Sequence, residues 1–395
     1  MKYAVCTNFA DDLIPRLENK KDILYIYGKL TSDFVGGGRA SYMMPLVNKR
    51  KVAQHVAQAH KDGLKFNYLL NSACMGNNEF TIAGQRQIRR LLDWIESIGV
   101  DSVTVAIPYL ARMIKKHHPR LGINVSTFDY VDTVVKARAW EDLGVDGIVL
   151  PNTLLNRDFE ALRKFRKHLK CKIQLLANNA CLFGCHCVGY HKVIMSHGSQ
   201  SSDISGGYVL DYCALSCRYQ RFVDPVNFIR SDWIRPEDVG HYEDLGIDAL
   251  KIIGRARNTD FIVKAYDAYS KRSYDGNLLD IVAHPYGEKR KRTAHTVLRG
   301  LLYAARFHLR NPFYLKKMIK SFPDFEVYLD NKKLDGFLDY FVNGHCQKDP
   351  CDGCSWCAQA ADKALKIDET YRQGFLNVYK KVLDELAEGK PFKYF

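Results

Sequence analysis

Ile98-Gly99-Val100-Asp101, Leu143-Gly144-Val145-Asp146 and Leu245-Gly246-Ile247-Asp248 are three copies of one phrase, each followed at once by an apolar run, at 102–107, 147–150 and 249–253. Asp62-Gly63, ahead of 64–70, is a weaker fourth copy. Helical periodicity precedes them over 49–61, 81–97, 131–143 and 236–245. A glycine here suits the left-handed position just past a helix. The short apolar run after it reads as a buried strand. Strands alternating with helices at this spacing predict a parallel sheet. Working outward, strands are expected at 3–7, 23–27, 66–70, 103–107, 123–126, 148–150, 173–176 and 249–253. Eight is the number that closes a (β/α)8 barrel. The rival is an open doubly wound sheet, which binds a nucleotide at a glycine-rich first turn. The one glycine cluster, Gly36-Gly37-Gly38, lacks that spacing and no phosphate-cradling helix follows it. The expected fold is therefore α/β, a TIM-like barrel over residues 1–283. A long Ser- and Gly-rich loop is expected at 196–207, a closing helix at 261–272, and a basic helical extension with more cysteines over 284–395.

Composition excludes several classes. With 47% hydrophobic and 26% charged residues among 395, the chain is too apolar for disorder. No run of 18 uncharged apolar residues exists, so no membrane span is expected. Acidic Asp11-Asp12 come too early for a signal-peptide core, which favours a cytoplasmic protein. The net charge is +14, concentrated at 289–320, which holds ten Lys and Arg and no acid. Such a stretch faces phosphate or forms a solvated helix face. Tyr303, Phe307, Phe313 and Tyr314 offer little stacking at regular spacing.

Twelve cysteines are many. Cys6, Cys74 and Cys171 are scattered; Cys181, Cys185, Cys187, Cys213 and Cys217 form one group, and Cys346, Cys351, Cys354 and Cys357 a second. Without an export signal, grouped thiols suggest metal or iron–sulfur binding rather than disulfides. Cys181-x3-Cys185 directly follows an expected strand, the position that faces a barrel's active site. Zinc prefers the tighter CxxC knuckle, and a [4Fe–4S] cluster accepts wider spacings. In the second group, two successive C-x2-C steps with Cys346 form a ferredoxin-like run, in which Pro350 and Gly353 favour the turns. An iron–sulfur cluster and a structural zinc both fit Cys346, Cys351, Cys354 and Cys357.

Asn178-Asn179-Ala180-Cys181-Leu182-Phe183-Gly184-Cys185 with His191, then Tyr212-Cys213-Ala214-Leu215-Ser216-Cys217-Arg218-Tyr219, resemble the two cysteine motifs of the collagenase-like peptidase family, U32. Ile234-Arg235-Pro236-Glu237-Asp238 through Leu250-Lys251-Ile252-Ile253-Gly254-Arg255 is similar to that family's helix and "LKIxGR" strand. The resemblance is good over 122–280 and rests only on strand–helix rhythm before that. It implies a TIM-like barrel with a [4Fe–4S] cluster on Cys181, Cys185, Cys213 and Cys217. Despite the family's name, it implies an oxygen-independent hydroxylase of an organic or RNA substrate, with prephenate as oxygen donor. The family's C-x6-C spacing is absent; Cys181 and Cys187 are separated by five residues, and Cys185 is preferred as ligand.

Arg255 lies just past a strand end, where its guanidinium could hold a carboxylate bidentately. Strand parity puts Lys251 on the same face. His191 and Asn179 flank the first thiol pair, placed to hydrogen-bond a cluster sulfur or the substrate. Arg218 could offset thiolate charge, and Cys74, after the strand at 66–70, is a substitute ligand. The expected partners are a small carboxylate or RNA substrate and an electron-transfer or sister subunit. The alternatives are a peptidase, although HExxH and GxSxG are absent, and a non-catalytic iron–sulfur or RNA-binding accessory protein.

Overall fold

The computed structural model describes residues 1–285, 323–346, 351 and 353–392. Eight parallel strands close a barrel in chain order: β1 (Lys2–Cys6), β2 (Ile23–Gly28), β3 (Phe66–Leu70), β4 (Ser102–Val105), β5 (Gly122–Val125), β6 (Gly147–Val149), β7 (Lys172–Leu176) and β8 (Ala249–Ile252). The ring shuts where β1 pairs with β8, Ala4 lying opposite Lys251. All eight expected strands form, with ends shifted by a residue or two. The basic stretch 289–320, on which an RNA contact was expected, lies outside the described residues.

The repeated phrase sets the ladder. Gly99, Gly144 and Gly246 take φ of +81°, +77° and +79°, a conformation costly for any residue with a Cβ. The aspartate two residues on then turns back to the preceding strand. Asp101, Asp146 and Asp248 accept the N–H groups of Phe66 (2.7 Å), Ile123 (2.6 Å) and Ile173 (2.8 Å) through Oδ2. Their own N–H groups donate to the carbonyls of the same three residues. A one-residue slip breaks both bonds, so register is pinned at three places around the ring.

The barrel interior is polar where branched apolar side chains are usual. Tyr25 Oη donates to Gln174 Oε1 (2.7 Å), and Gln174 Nε2 to Asn124 Oδ1 (3.1 Å). Thr104 Oγ1 donates to Asn67 Oδ1 (2.7 Å). All these groups are buried and partnered, so they form a rigid polar floor rather than a liability.

Between β7 and β8 an insertion adds the helices Val188–His197 and Tyr212–Val223. The expected loop at 196–207 is mostly turns, and the helix Thr259–Lys271 closes the barrel. The extension contributes the helices Trp356–Ala364 and Glu369–Ala387. It also holds a small antiparallel pair, β9 (Tyr328–Leu329) with β10 (Leu365–Lys366), that the sequence did not announce. Helix Glu369–Ala387 packs on Tyr212–Val223: Phe375 stacks on Phe222 at 3.7 Å between centroids, and Arg372 donates to the carbonyls of Phe222 (2.8 Å) and Val223 (3.0 Å). Those carbonyls would otherwise be left open at a helix end. One apolar core runs from Tyr3 to Val382 through barrel and extension. Arg235, 1% exposed, crosses the same junction and donates to Asn331 Oδ1 (3.0 Å), Leu334 O (2.6 Å) and Asp335. No helix among the described residues is long and apolar enough to cross a membrane.

Candidate functional site

The segment after β7 carries the first thiols, and Asn178 fixes it. Its Nδ2 donates to Ile253 O (3.0 Å) and Ile281 O (2.9 Å), and its Oδ1 accepts from Ile253 N (2.7 Å). The thiol segment is thereby tied to the end of β8, two residues before Arg255. Asp232 adds a second tie by accepting the N–H of Cys181 (3.1 Å).

The helix Tyr212–Val223 brings Cys213 and Cys217 to the same place. Asp211 caps it by accepting from Ala214 N (2.9 Å). Cys217 is near enough to Cys181 and to Cys185 to help raise both thiols. Cys187 joins them, hydrogen-bonded to Cys213. Burial first pushes Cys181 and Cys213 up to about 12, with Asp232 and then Cys217 adding to it at Cys181, and Cys187 and then Asp211 at Cys213. Two donors reach the sulfurs: Asn179 Nδ2 to Cys181 Sγ (3.1 Å) and Arg221 Nη1 to Cys217 Sγ (2.7 Å). The arginine serving the thiols is thus Arg221, one helical turn past Cys217. Arg218, expected in that role, donates instead to Pro285 O (3.0 Å) and Tyr379 Oη (3.4 Å). Cys74 stands apart, its carbonyl held by Gln200 (2.6 Å) and its sulfur by Gly76 N (3.3 Å).

His191 does not meet Arg255 or Lys251. Its Nε2 lies 3.3 Å from Asp211 Oδ1. Burial alone would raise the Asp211 carboxyl, but His191 and the capped helix N–H outweigh it and hold the carboxyl low.

Arg255 and Lys251 do come together, inside the barrel mouth. Arg255 is 9% exposed and Lys251 6%. Lys251 Nζ sits 4.1 Å over the Tyr27 ring. Among the described residues no hydrogen-bond acceptor or carboxylate partners either cation. Burial first, then Arg255, pushes the Lys251 ammonium down to about 7. Burial and the neighbouring Arg39 likewise lower Arg255. Close by, Lys29 is paired: its Nζ lies 2.9 Å from Asp33 Oδ2, which also accepts from Tyr68 Oη (2.8 Å). Asp33 Oδ1 accepts from Gly36 N (2.7 Å), which anchors the glycine cluster over the mouth. A Cβ on Gly37 would stand 2.9 Å from Lys29 and 3.0 Å from Asn71, so glycine is required for that close approach. Sequence reasoning missed Lys29, Asp33, Tyr68 and Arg221. The available signals were the four-residue spacings Lys29–Asp33 and Cys217–Arg221.

In the extension, Cys354 Sγ lies 3.7 Å from Tyr340 Oη, with Cys346 and Cys357 as further neighbours of that ring, while Cys351 is a neighbour of Cys357. No disulfide links any of the twelve cysteines. Among the described residues, no three Cys, His, Asp or Glu side chains converge as the ligands of a single ion would.

These features define a parallel-barrel protein with a thiol-rich, cationic mouth. The profile of Peptidase family U32 matches residues 34–277. An uncharacterized protease of Methanocaldococcus jannaschii is 31% identical over 335 residues, 85% of this chain and 87% of the relative. The chain belongs to Peptidase family U32. Among solved structures, the U32 peptidase Mk0906 is 22% identical with a TM-score of 0.48, covering 64% of this chain and 93% of its own. A thiamine phosphate pyrophosphorylase from Pyrococcus furiosus is 13% identical with a TM-score of 0.35, covering 69% of this chain and 94% of its own.

Proposed function

We propose that this U32 protein is a hydroxylase-like enzyme whose barrel mouth holds a thiolate-ligated [4Fe–4S] cluster beside a subsite for a small carboxylate. The observation that carries the reading is the pair Arg255 and Lys251, two buried cations with no anionic partner among the described residues, tied through Ile253 and Asn178 to the thiol segment. Burying charge without a partner costs several kcal/mol, so such a pair persists where a ligand supplies the anion.

The donor set suits the cluster. Five thiols gather at one place, two amide or guanidinium donors reach their sulfurs, and a cube of four irons is wider than the single ion these side chains fail to converge on. Cys181, Cys213 and Cys217 would hold it, with Cys185 or Cys187 as the fourth ligand. Bound there, the cluster supplies one-electron chemistry or a Lewis-acidic iron. Asn179 and Arg221 donate to ligand sulfurs and so favour the more reduced, more negative state. Arg255 presents a planar fork to a carboxylate. Lys251 Nζ, poised near neutrality, can hold or release a proton beside it. Thiols committed to a cluster are unavailable as nucleophiles, which sets this reading against a cysteine peptidase.

Anaerobic purification with iron and sulfide counted per chain tests the reading. Cys213→Ala should lose the barrel cluster, about four iron and four sulfide, together with its visible absorption. Unchanged iron and spectrum would remove Cys213 from the ligand set and the proposal with it.

A further inference from the structure

We infer that the cleft between the insertion and the end of the extension is a binding site for an organic cation with an apolar body, such as a quaternary ammonium. The inference goes beyond the barrel-mouth reading and does not depend on it.

The cleft holds about 420 Å³, the size of a small-ligand pocket. Tyr190, Ile194 and His197 line one wall, because steps of four and three residues put them on one face of the helix Val188–His197. Tyr208 and Tyr212, the latter opening the next helix, line a second. Leu386, in the helix Glu369–Ala387, and Phe392 beyond it complete the enclosure. Three separate stretches of chain therefore meet around one hollow.

The walls are set before any ligand arrives. Tyr42 stacks on Tyr208 at 6.1 Å and 21°. Ser41 N donates to Gly198 O (2.8 Å), and Tyr42 N to Gly207 O (3.1 Å). A Cβ on Gly198 would collide with Val209 and stand 2.9 Å from Ala40, so glycine is what lets these segments pack. A preformed site loses little affinity to ordering.

The chemistry of the lining selects the ligand. Five large aromatic side chains are exposed among the described residues, and three of them, Tyr190 (60%), Tyr212 (45%) and Phe392 (37%), line this cleft. Exposed apolar side chains gathered at one place mark a binding surface. The face of an aromatic ring is electronegative and attracts a cation. In a chain with 58 Lys and Arg, none of the residues lining the cleft is either. With histidine counted neutral, Asp203 is the one formal charge in the lining. Its Oδ1 accepts from Ser205 N (2.8 Å), and its Oδ2 lies 3.4 Å from His197 Nδ1. An anion entering here meets a carboxylate and ring faces, and a neutral ligand leaves the carboxylate unanswered. A cation with an apolar body satisfies both. The barrel mouth, with Arg255 and Lys251, has the opposite preference.

Calorimetric titration of the full chain tests this. The probes are choline, its uncharged isostere in which carbon replaces nitrogen, benzyltrimethylammonium and benzoate. The two cations should bind saturably, benzyltrimethylammonium more tightly, and the isostere and benzoate weakly or not at all. Tyr190→Ala and Asp203→Asn should each weaken benzyltrimethylammonium by about 2- to 30-fold. Tyr190→Phe should restore binding, since it keeps the ring. Arg255→Gln should leave the affinity unchanged. Both Tyr190 variants change an exposed side chain, and asparagine at 203 keeps an acceptor for Ser205, so thermal melts should match wild type. Equal binding of choline and its isostere overturns the inference. So does unchanged affinity in Tyr190→Ala and Asp203→Asn, or tighter binding in Arg255→Gln, which would put the cation in the barrel mouth. A dimer in sedimentation that Tyr190→Ala dissociates would mean that a second copy fills the cleft, and overturns it equally.

Discussion

Replacing Arg255 with glutamine should weaken carboxylate binding without weakening the fold. Arg255 and Lys251 are both buried, and among the described residues neither has an anionic partner. The Lys251 ammonium falls from 10.5 to about 7, through burial first and Arg255 second, which corresponds to roughly 5 kcal/mol of strain in its charged form. The sign follows from the direction. Lys251 has a lower pKa folded than unfolded, so the penalty is fully present below pH 7 and fades as pH rises toward 10.5; wild-type stability should climb across that window. Arg255→Gln removes the like charge, so the Lys251 pKa rises, the climb with pH flattens, and the melting temperature at pH 7 holds or increases. A carboxylate ligand loses its bidentate partner, at a cost on the order of 2–4 kcal/mol, or about 30- to 1,000-fold in Kd. Arg255→Lys should be nearly as harmful, because an ammonium lacks the planar fork. The assay is calorimetric titration with prephenate as the probe, beside thermal melts at pH 7 and 9. A variant that melts several degrees lower and binds the ligand unchanged would show that Arg255 is structural, and the reasoning would fail.

Asp33→Asn should destabilise the fold by about 3–5 kcal/mol in urea titration, because it strands the buried Lys29 ammonium 2.9 Å away. The loss should shrink as pH rises, since Lys29, already lowered by burial, would be lowered further and shed its proton. Arg235→Ala should cost about 3 kcal/mol and expose 330–335 to proteolysis, as Asn331, Leu334 and Asp335 lose their shared donor. Unaltered urea midpoints in either variant would contradict the burial and pairing described.

The barrel was legible because its determinants are local. Each glycine–hydrophobe–aspartate phrase encodes a helix stop, a turn and a register lock within four residues, and its hydrogen bonds reach only the neighbouring strand. Lys251 and Arg255 were legible through strand parity alone. The thiol cluster was legible as a group but not in its internal pairing. Cys187, just ahead of one helix inserted between β7 and β8, neighbours Cys213 in the first turn of the other, a meeting no local pattern encodes. Arg221 was overlooked for Arg218 because adjacency in sequence points around a helix, whereas the residue four positions on shares the face. The polar floor was written in plain sight as one amide in each of β3, β5 and β7. Nothing local says that those amides point inward and pair.

Arg235 also bears on the order in which the molecule can be made. It follows the insertion and precedes β8, so it leaves the ribosome about a hundred residues before Asn331, Leu334 and Asp335, the acceptors that satisfy its guanidinium. During synthesis a barrel complete to its eighth strand has Glu237 and Asp238 beside this guanidinium but not yet those acceptors, and the cysteine helix still lacks the Phe375 that stacks on Phe222. The junction between barrel and extension therefore closes only after most of the extension has emerged.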